Sequence, residues 1–256
     1  MVDKEMPRWK LKVRNGEVCN TGRIIALKQE CDDLVKIVVA IFDLEGFTNF
    51  FDSASVNRNI VVSAYMKGFL DWLNYQIDQL REHYVPRPRY HKFLGDGVLL
   101  IWEVGDSVLS HPLVRMAFMN ACWNMVDGKE SYESTFLPEF KQRIGRRWTC
   151  EYPSRLRVSI SLGHAVRYGN RHESCEYISE CINVASRLVK FRPSLRFIAH
   201  SDLVFGSEPR KYGYIQKKIS IKGINDRVGV FVDKDEFDKL SDEDKQAFRN
   251  PKSAST

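Results

Sequence analysis

The stretch that decides the fold is KIVVAIFDLEGFTNFF, residues 36–51. Six apolar residues, Ile37 to Phe42, run without a break and are rich in Val and Ile, which is typical of a strand buried on both faces. Asp43 follows at once, and Gly46 comes three residues later. A buried strand is a rigid support, so this pattern predicts a carboxylate fixed at the edge of a sheet.

The rest of the chain predicts a sequence of helices and strands around this strand. A long amphipathic helix runs through residues 60–84 and ends before Pro86. Two apolar runs flank a Gly-Asp-Gly turn at 95–97, which indicates a hairpin. A second helix begins near Pro112, residues 127–153 are expected to include a loop, and 154–170 alternate like a half-buried strand. A helix at 181–191 and late strands follow.

This order predicts an α+β fold, an α/β sandwich with a ferredoxin-like βαββαβ core and extra C-terminal strands. We expect an N-terminal arm or hairpin at residues 1–34, one catalytic domain at 35–233, and a charged C-terminal tail at 234–256 that frays after Phe231. No internal repeat divides the chain.

Composition excludes several classes of protein. The 256 residues are 43% hydrophobic and 28% charged, which is ordinary for a globular chain. Six scattered cysteines form no CxxC pair, and the N-terminus resembles no signal peptide, so we expect reduced thiols and a cytoplasmic location. No apolar run approaches the roughly 18 residues of a membrane span. The net charge of +6 leaves nucleic-acid binding open, but the basic residues are dispersed and we expect no nucleic-acid partner.

Two carboxylates mark a candidate site. In a βαββαβ sheet the strand that ends in Asp43 lies beside the hairpin that carries Asp96, so the two can approach each other. Such a pair suits two divalent cations, Mg²⁺ or Mn²⁺. The alternative is that both are turn residues, and for Glu45 we favour a solvated turn residue. The turn at Gly46 can point several N–H groups at one phosphate.

A second pair lies on the helix at 181–191. Asn183 and Arg187 are four residues apart, so they share a helical face. An arginine beside small residues can reach a phosphate with two hydrogen bonds. Taken alone, the two residues are better explained as an ordinary surface pair.

Four motifs in order resemble those of class III nucleotidyl cyclases. IFDLEGFT resembles the first-metal motif FxDixGFT, and KFLGDGVLLIW resembles KxxGDxxxA. LRVSISLGHAVRYGN and EYISECINVASRL are similar to the later strand and helix motifs of the family. The resemblance runs from about residue 36 to 233. It implies a head-to-tail homodimer with active sites at the interface and a nucleoside triphosphate as substrate.

The resemblance also implies roles for single residues. Asp43 and Asp96 would hold two cations, with the backbone of Leu44 completing one metal site. The backbone of Gly46, Phe47 and Thr48 would bind the triphosphate, and Lys222 would approach its terminal phosphates. Asn183 would position the ribose, and Arg187 would stabilise charge in the transition state.

Lys92 and Glu176 stand where adenylyl cyclases of this family read the base with a Lys and an Asp. The longer acid disfavours a purine, and Ser179 replaces the usual glycine. The chain is also similar to the stand-alone Pycsar uridylate and cytidylate cyclases of bacterial antiphage defence. This likeness predicts a uridylate cyclase that makes cUMP for a separate effector. Phe50 and Phe51 could narrow the pocket, although core packing is favoured for both.

Two alternatives stay open at this point. One is an adenylate cyclase that makes cAMP. The other is a regulatory module that binds a nucleotide without catalysis. Product analysis with four nucleotides separates both alternatives from a uridylate cyclase.

Overall fold

A computed structural model describes most of the chain. The described residues are 11–14, 17–20, 33–53, 58–144, 151–168, 175–191, 195–204, 208–221, 223–224 and 227–248. The ten strands of these residues are β1 (Leu11–Arg14), β2 (Glu17–Asn20), β3 (Asp33–Glu45), β4 (Tyr90–Phe93), β5 (Gly97–Glu103), β6 (Arg155–Tyr168), β7 (Glu176–Ile178), β8 (Phe197–His200), β9 (Tyr214–Ile219) and β10 (Val228–Asp233).

Nine α-helices are described. They are α1 (Phe47–Ser53), α2 (Arg58–Gln79), α3 (Asp106–Leu109), α4 (Pro112–Asp127), α5 (Leu137–Ile144), α6 (Glu180–Leu188), α7 (Glu208–Lys211), α8 (Lys234–Asp238) and α9 (Asp242–Gln246). Short 3₁₀ turns cover Leu80–His83 and Ser201–Leu203, and a π-helical turn covers Tyr132–Phe136.

Eight of the described strands form one sheet in the order β4-β5-β3-β6-β8-β10-β9, with β7 paired to β6. The first four strands of this order, joined through α2 and α4, are the predicted ferredoxin-like βαββαβ core. β3 is antiparallel to both of its neighbours, whereas β6 and β8 are parallel. β1 and β2 pair as a separate two-stranded hairpin. The predicted fold class is therefore confirmed.

β3 is buried on both faces, as its apolar run predicts. Val38, Ala40 and Phe42 join a core under α2 and α4, while Ile37 and Val39 face α6 on the other side. Side chains alternate along a strand, so one continuous apolar run supplies both cores. Each such side chain that is fully buried stabilises the fold by about 1.5–3 kcal/mol.

β6 differs from the half-buried strand that its alternating sequence predicts. Ser159 and Ser161 are as buried as the apolar Ile160 between them, because α6 covers the serine face of the strand. The Ser159 hydroxyl donates to the carbonyl of Ala185 on α6 at 2.7 Å. At Gly163 a Cβ would lie 2.8 Å from Cβ of Cys181, so glycine is needed for this close approach.

The segment 127–153, expected to include a loop, is largely helical where it is described. Ser131 and Ser134 form a capping box at the π-helical turn, and α5 follows directly. Tyr132, Phe136 and Phe140 recur at a spacing of four and are all buried against α2. Burial of three aromatic rings favours a helix that the polar residues between them obscure in the sequence.

The C-terminal tail does not fray after Phe231, so that expectation is wrong for the residues described. β10 continues to Asp233, whose carboxylate accepts from the N–H of Glu236 at 2.9 Å and caps α8. Phe237 and Phe248 are buried in a cluster with α6 and the late strands, together with Leu240. Arg196 binds Glu236 through its Nε at 2.6 Å and fixes α8 to the sheet.

Candidate active site

The two predicted metal ligands meet at one corner of the sheet. Asp43 lies opposite Gly97 in the β3–β5 ladder, and Asp96 precedes Gly97 in the turn. The N–H of Leu44 donates to the carbonyl of Asp96 at 2.7 Å. This bond fixes the hairpin turn against the end of β3. We call Asp43, Leu44, Gly46 and Asp96 the aspartate corner.

The two carboxylates of this corner have different surroundings. Asp43 is 4% exposed and forms an ion pair with Arg157, which lies opposite it in the β3–β6 ladder. The Asp96 side chain is 42% exposed, and its nearest cation is Lys190 at 3.9 Å. The sequence analysis missed Arg157. The signal was present, since antiparallel pairing of β3 with β6 brings the Arg of LRVSIS opposite Asp43.

Glu45 is not the solvated turn residue that the sequence favours. It is partly buried, and its Oε2 is shielded from solvent without a hydrogen-bond partner among the described residues. Asp43 and Glu45 are two residues apart on a strand, so their side chains leave the same face. An acceptor oxygen held without a donor beside Asp43 is a feature that a bound cation would satisfy.

The turn after β3 exposes backbone N–H groups at the start of α1. Gly46 has φ +84°, a conformation that favours glycine. The Phe50 N–H donates to the Gly46 carbonyl at 2.9 Å and begins α1, so the N–H groups before it lack partners inside the helix. Gly46 and Thr48 are exposed.

Phe50 and Phe51 have different roles. Phe50 is fully buried in the core, as the sequence analysis favoured for both residues. Phe51 is 42% exposed and is not a core residue. Adjacent residues near a helix start point in different directions, so only one of them can face the sheet.

The aspartate corner fits divalent cations. No three His, Cys, Asp or Glu side chains in the described chain converge on one point. Mg²⁺ commonly takes only one or two protein carboxylates and fills its remaining positions with water and substrate phosphate. Asp43 and Asp96 therefore offer the one or two hard oxygen ligands that such a cation needs from the protein.

Lys92 and Glu176, predicted as the base-reading pair, do contact each other. Lys92 Nζ donates to Glu176 Oε1 at 3.0 Å, and the Tyr90 hydroxyl donates to Oε2 at 2.8 Å. Both hydrogen bonds lower the pKa of Glu176, and the bond from Tyr90 has the larger effect. The bond to Glu176 in turn raises the pKa of Lys92. The sequence analysis missed Tyr90, which the period-two spacing places on the same face as Lys92. We call Tyr90, Lys92 and Glu176 the base corner.

Asn183 and Arg187 share the outward face of α6, as their spacing predicts. Both are exposed, whereas Val184 and Ala185 pack inward. Ser179, in place of the family's glycine, caps this helix by accepting from the Cys181 N–H at 3.1 Å.

Gly223 allows the guanidinium of Arg187 to lie against the backbone. A Cβ at this glycine would be 2.9 Å from Nη1 of Arg187. Lys222, predicted to approach the terminal phosphates, lies outside the described residues. Its role remains a prediction.

The structure therefore groups the predicted residues in three places. The aspartate corner unites Asp43, Leu44 and Asp96 with the Gly46 turn, which includes Phe47 and Thr48. The base corner unites Lys92 with Glu176. The third group is Asn183 with Arg187 on α6.

No protein-family model matches the chain, and no curated protein matches it significantly. Solved structures do match. The adenylyl cyclase CyaB from P. aeruginosa superimposes with a TM-score of 0.53 at 16% identity, over 78% of this chain and 94% of that chain. The guanylyl cyclase Cya2 gives a TM-score of 0.50 at 15% identity, over 79% of this chain and 93% of its own.

A bacterial light-regulated adenylyl cyclase gives a TM-score of 0.52 at 15% identity, over 87% of this chain and 59% of that protein. Three cyclases of differing base specificity thus share this architecture. The chain has the fold of class III adenylyl and guanylyl cyclase domains.

Among the helices of the described residues, none combines the length and apolar character that crossing a bilayer requires.

Proposed function

We propose that the chain is a nucleotidyl cyclase that converts a nucleoside triphosphate to its 3′,5′-cyclic monophosphate and pyrophosphate. One observation carries the proposal. In a cyclase-like fold, the register of β3 with β5 places Asp43 beside Asp96, directly before an exposed glycine turn. Two carboxylates next to a phosphate-binding turn are suited to phosphoryl transfer.

Each residue of the aspartate corner has a task in this proposal. Asp43 and Asp96, with the Leu44 backbone, would hold two divalent cations, Mn²⁺ or Mg²⁺, which supply activation of the attacking oxygen and charge neutralisation. The N–H groups of Phe47 and Thr48 bind the triphosphate. Arg157 must give up part of its contact with Asp43 when that carboxylate binds a cation, which frees its guanidinium for the phosphates.

The second half of the site comes from α6. Asn183 positions the ribose so that its 3′-oxygen can attack the α-phosphorus, with pyrophosphate as the leaving group. Arg187 stabilises the negative charge that develops in the transition state. Lys222 would bind the terminal phosphates.

We further propose a homodimer in which one protomer supplies the aspartate corner and its partner supplies α6 and the base corner. The family resemblance supports this arrangement. Both halves are present on one chain, so two copies would build two complete sites. Exposed Asn183 and Arg187 agree with a role across an interface.

For the base we propose UTP. Lys92 can donate to the 4-oxygen of uracil while Glu176 accepts from its N3–H. The same donor and acceptor would also fit adenine or cytosine, so the choice among these bases depends on the space that the pocket leaves for the ring. Glutamate extends further than aspartate and leaves less depth for a base, which favours a single ring. The similarity to Pycsar cyclases supports the same choice and a role in antiviral defence, where cUMP would act on a separate effector.

The test is to incubate the protein with Mn²⁺ and each of the four nucleoside triphosphates and to separate the products. We expect cUMP to dominate. Dominant cAMP would replace the uridylate proposal with an adenylate cyclase. Triphosphate binding without release of pyrophosphate from any nucleotide would identify a non-catalytic regulatory module instead.

A further inference from the structure

A cavity of about 530 Å³ lies between α2 and the segment formed by the π-helical turn and α5. It is on the sheet face away from α6 and includes no residue of the aspartate or base corner. Its volume is in the range of 300–1,000 Å³ that is usual for small-molecule sites. The proposed cyclase reaction makes no use of it.

The walls of this cavity are aromatic. Trp72, Phe136 and Phe140 contribute to its lining and are 8%, 6% and 4% exposed. Gly68 of α2 lies close against two of these rings, because a Cβ at this position would lie 3.4 Å from the Phe136 ring and 3.6 Å from the Phe140 ring, which is van der Waals contact. The rings form an apolar wall of the cavity against which a flat apolar group can pack.

The polar lining of the cavity is acidic. Asp71, Glu130 and Glu139 contribute three carboxylates, against one guanidinium from Arg143. Glu130 accepts from the Tyr75 hydroxyl at 3.1 Å. In the described part of the chain, neither Asp71 nor Glu139 has an ion-pair or hydrogen-bond partner. A cationic ligand would complement this excess of negative charge and would also be attracted to the faces of Trp72 and Tyr75.

We propose that this cavity binds a small organic cation with a flat apolar body, such as an aryl-alkyl amine. The ring packs against the aromatic wall formed by Trp72, Phe136 and Phe140, and the ammonium group lies among the carboxylates of Asp71 and Glu139. The site is separate from the nucleotide site in its residues and in the charge of its ligand.

The same segment is linked through residues 153 and 154 to the end of β3, directly before the Gly46 turn. The Tyr132 hydroxyl donates to the Pro153 carbonyl at 2.6 Å, so the Tyr65 hydroxyl, 2.6 Å away, is the donor in its bond with Tyr132. The next N–H, of Ser154, donates to the carbonyl of Glu45 at 3.0 Å. A ligand that shifts the π-helical turn would therefore act on the residue before Gly46. This regulatory part of the proposal rests on the proposed cyclase function.

The binding test uses three indoles of one shape and different charge: tryptamine, indole-3-acetate and 3-methylindole. Binding is measured by ligand-observed NMR, without nucleotide. We expect tryptamine to bind, and indole-3-acetate to bind about tenfold more weakly or not at all. Equal binding of tryptamine and indole-3-acetate, or no tryptamine binding, would overturn the proposal.

The matched variants are Gly68→Phe, which places a ring in the cavity beside its aromatic wall, and Gly68→Ala, which adds one methyl group at van der Waals distance from that wall. We expect tryptamine binding to be lost in the first and retained in the second, with both folded by circular dichroism. Retained binding in a folded Gly68→Phe would place the ligand elsewhere and contradict the proposed site. Asp71→Asn/Glu139→Gln should remove the preference for the cation without filling the cavity.

The regulatory part is tested by the KM for the nucleotide with and without saturating tryptamine. We expect a change of about fivefold or more in the wild-type protein and little change in Tyr132→Phe, which still binds tryptamine. An unchanged wild-type KM would overturn the regulatory part. If no nucleotide is turned over, the cyclase proposal fails, whereas the NMR result still decides the binding site.

Discussion

The aspartate corner and the base corner are built in opposite ways. Asp43 is 4% exposed and is held by ladders to two neighbouring strands. Lys92 and Glu176 are 51% and 61% exposed at their side chains and are held by hydrogen bonds between those side chains. The first corner is therefore anchored in the folding core through Asp43, while the second is a surface feature. In the proposed cyclase, the chemistry common to all nucleotides would depend on the anchored corner, and the choice of base would depend on residues that can change without unfolding the protein.

The sharpest test within the aspartate corner compares Asp43→Ala with Asp96→Ala. We expect each to reduce turnover by about 1,000-fold or more, because each removes a cation ligand. Only Asp43→Ala should also lower the free energy of unfolding, because it leaves Arg157 unpaired. Product formation and urea denaturation measure the two effects. Turnover retained in either variant would refute the metal assignment.

Removal of Arg157 tests how much the rigid corner contributes to stability. Arg157→Met leaves the buried Asp43 carboxylate without its partner, and we expect a loss of about 3 kcal/mol in the free energy of unfolding. The matched control is Arg155→Met, because Arg155 lies two residues earlier on β6 and is exposed. This variant should lose far less free energy of unfolding. Equal losses in the two variants would show that the Asp43–Arg157 pair is not a special interaction.

The base corner should respond in specificity and not in stability. Glu176→Gln and Tyr90→Phe each remove part of the hydrogen bonding that holds the acid, and we expect the ratio of kcat/KM between UTP and ATP to change by about tenfold. The free energy of unfolding should change by less than about 1 kcal/mol, because the pair is exposed. A large loss of stability with an unchanged ratio would assign this corner a structural role instead.

The smallest expected effect concerns pH. Hydrogen bonds from Tyr90 and Lys92 lower the pKa of Glu176 in the folded protein. A depressed carboxyl pKa contributes stability above the ordinary value, about 4.5, and that contribution is lost as pH falls through the folded value. We expect the free energy of unfolding of the wild type to exceed that of Glu176→Gln by a few tenths of a kcal/mol near neutral pH. This difference should vanish in acid. Denaturation curves at several pH values measure it, and a difference that grows on acidification would contradict the assignment.

The aspartate corner was largely predictable from the sequence. A continuous apolar run ending in Asp43 and a Gly-Asp-Gly hairpin that carries Asp96 suffice once the βαββαβ order is recognised, because that order makes the strands neighbours. Arg157 and the unpartnered oxygen of Glu45 were missed. The Arg of LRVSIS indicates Arg157 only once β3 and β6 are paired in register, and the shielding of the Glu45 oxygen depends on what covers its face, which a single sequence does not specify.

Aromatic residues in charged surroundings form ordered structure in two places where the sequence did not predict it. Tyr132, Phe136 and Phe140 recur at helical spacing within the segment 127–153, and Phe237 and Phe248 lie in a tail rich in Lys and Asp. Average polarity hid the helices of the first segment and favoured fraying of the second. The burial of a few large rings against a complementary surface outweighs the average polarity of the segment, and that surface forms only when the chain folds.

Arg196 carries a consequence for the design of hybrid proteins. It lies on the approach to β8 and pairs with Asp127 at the end of α4, with Glu133 in the π-helical turn and with Glu236 in α8, and its guanidinium lies 5.5 Å from the centre of the Trp123 ring. A graft boundary placed at residue 233, where the last strand ends, would remove the Glu236 carboxylate and uncover the apolar cluster around Phe237. The natural place to join another module is therefore beyond Phe248, after the last described helix.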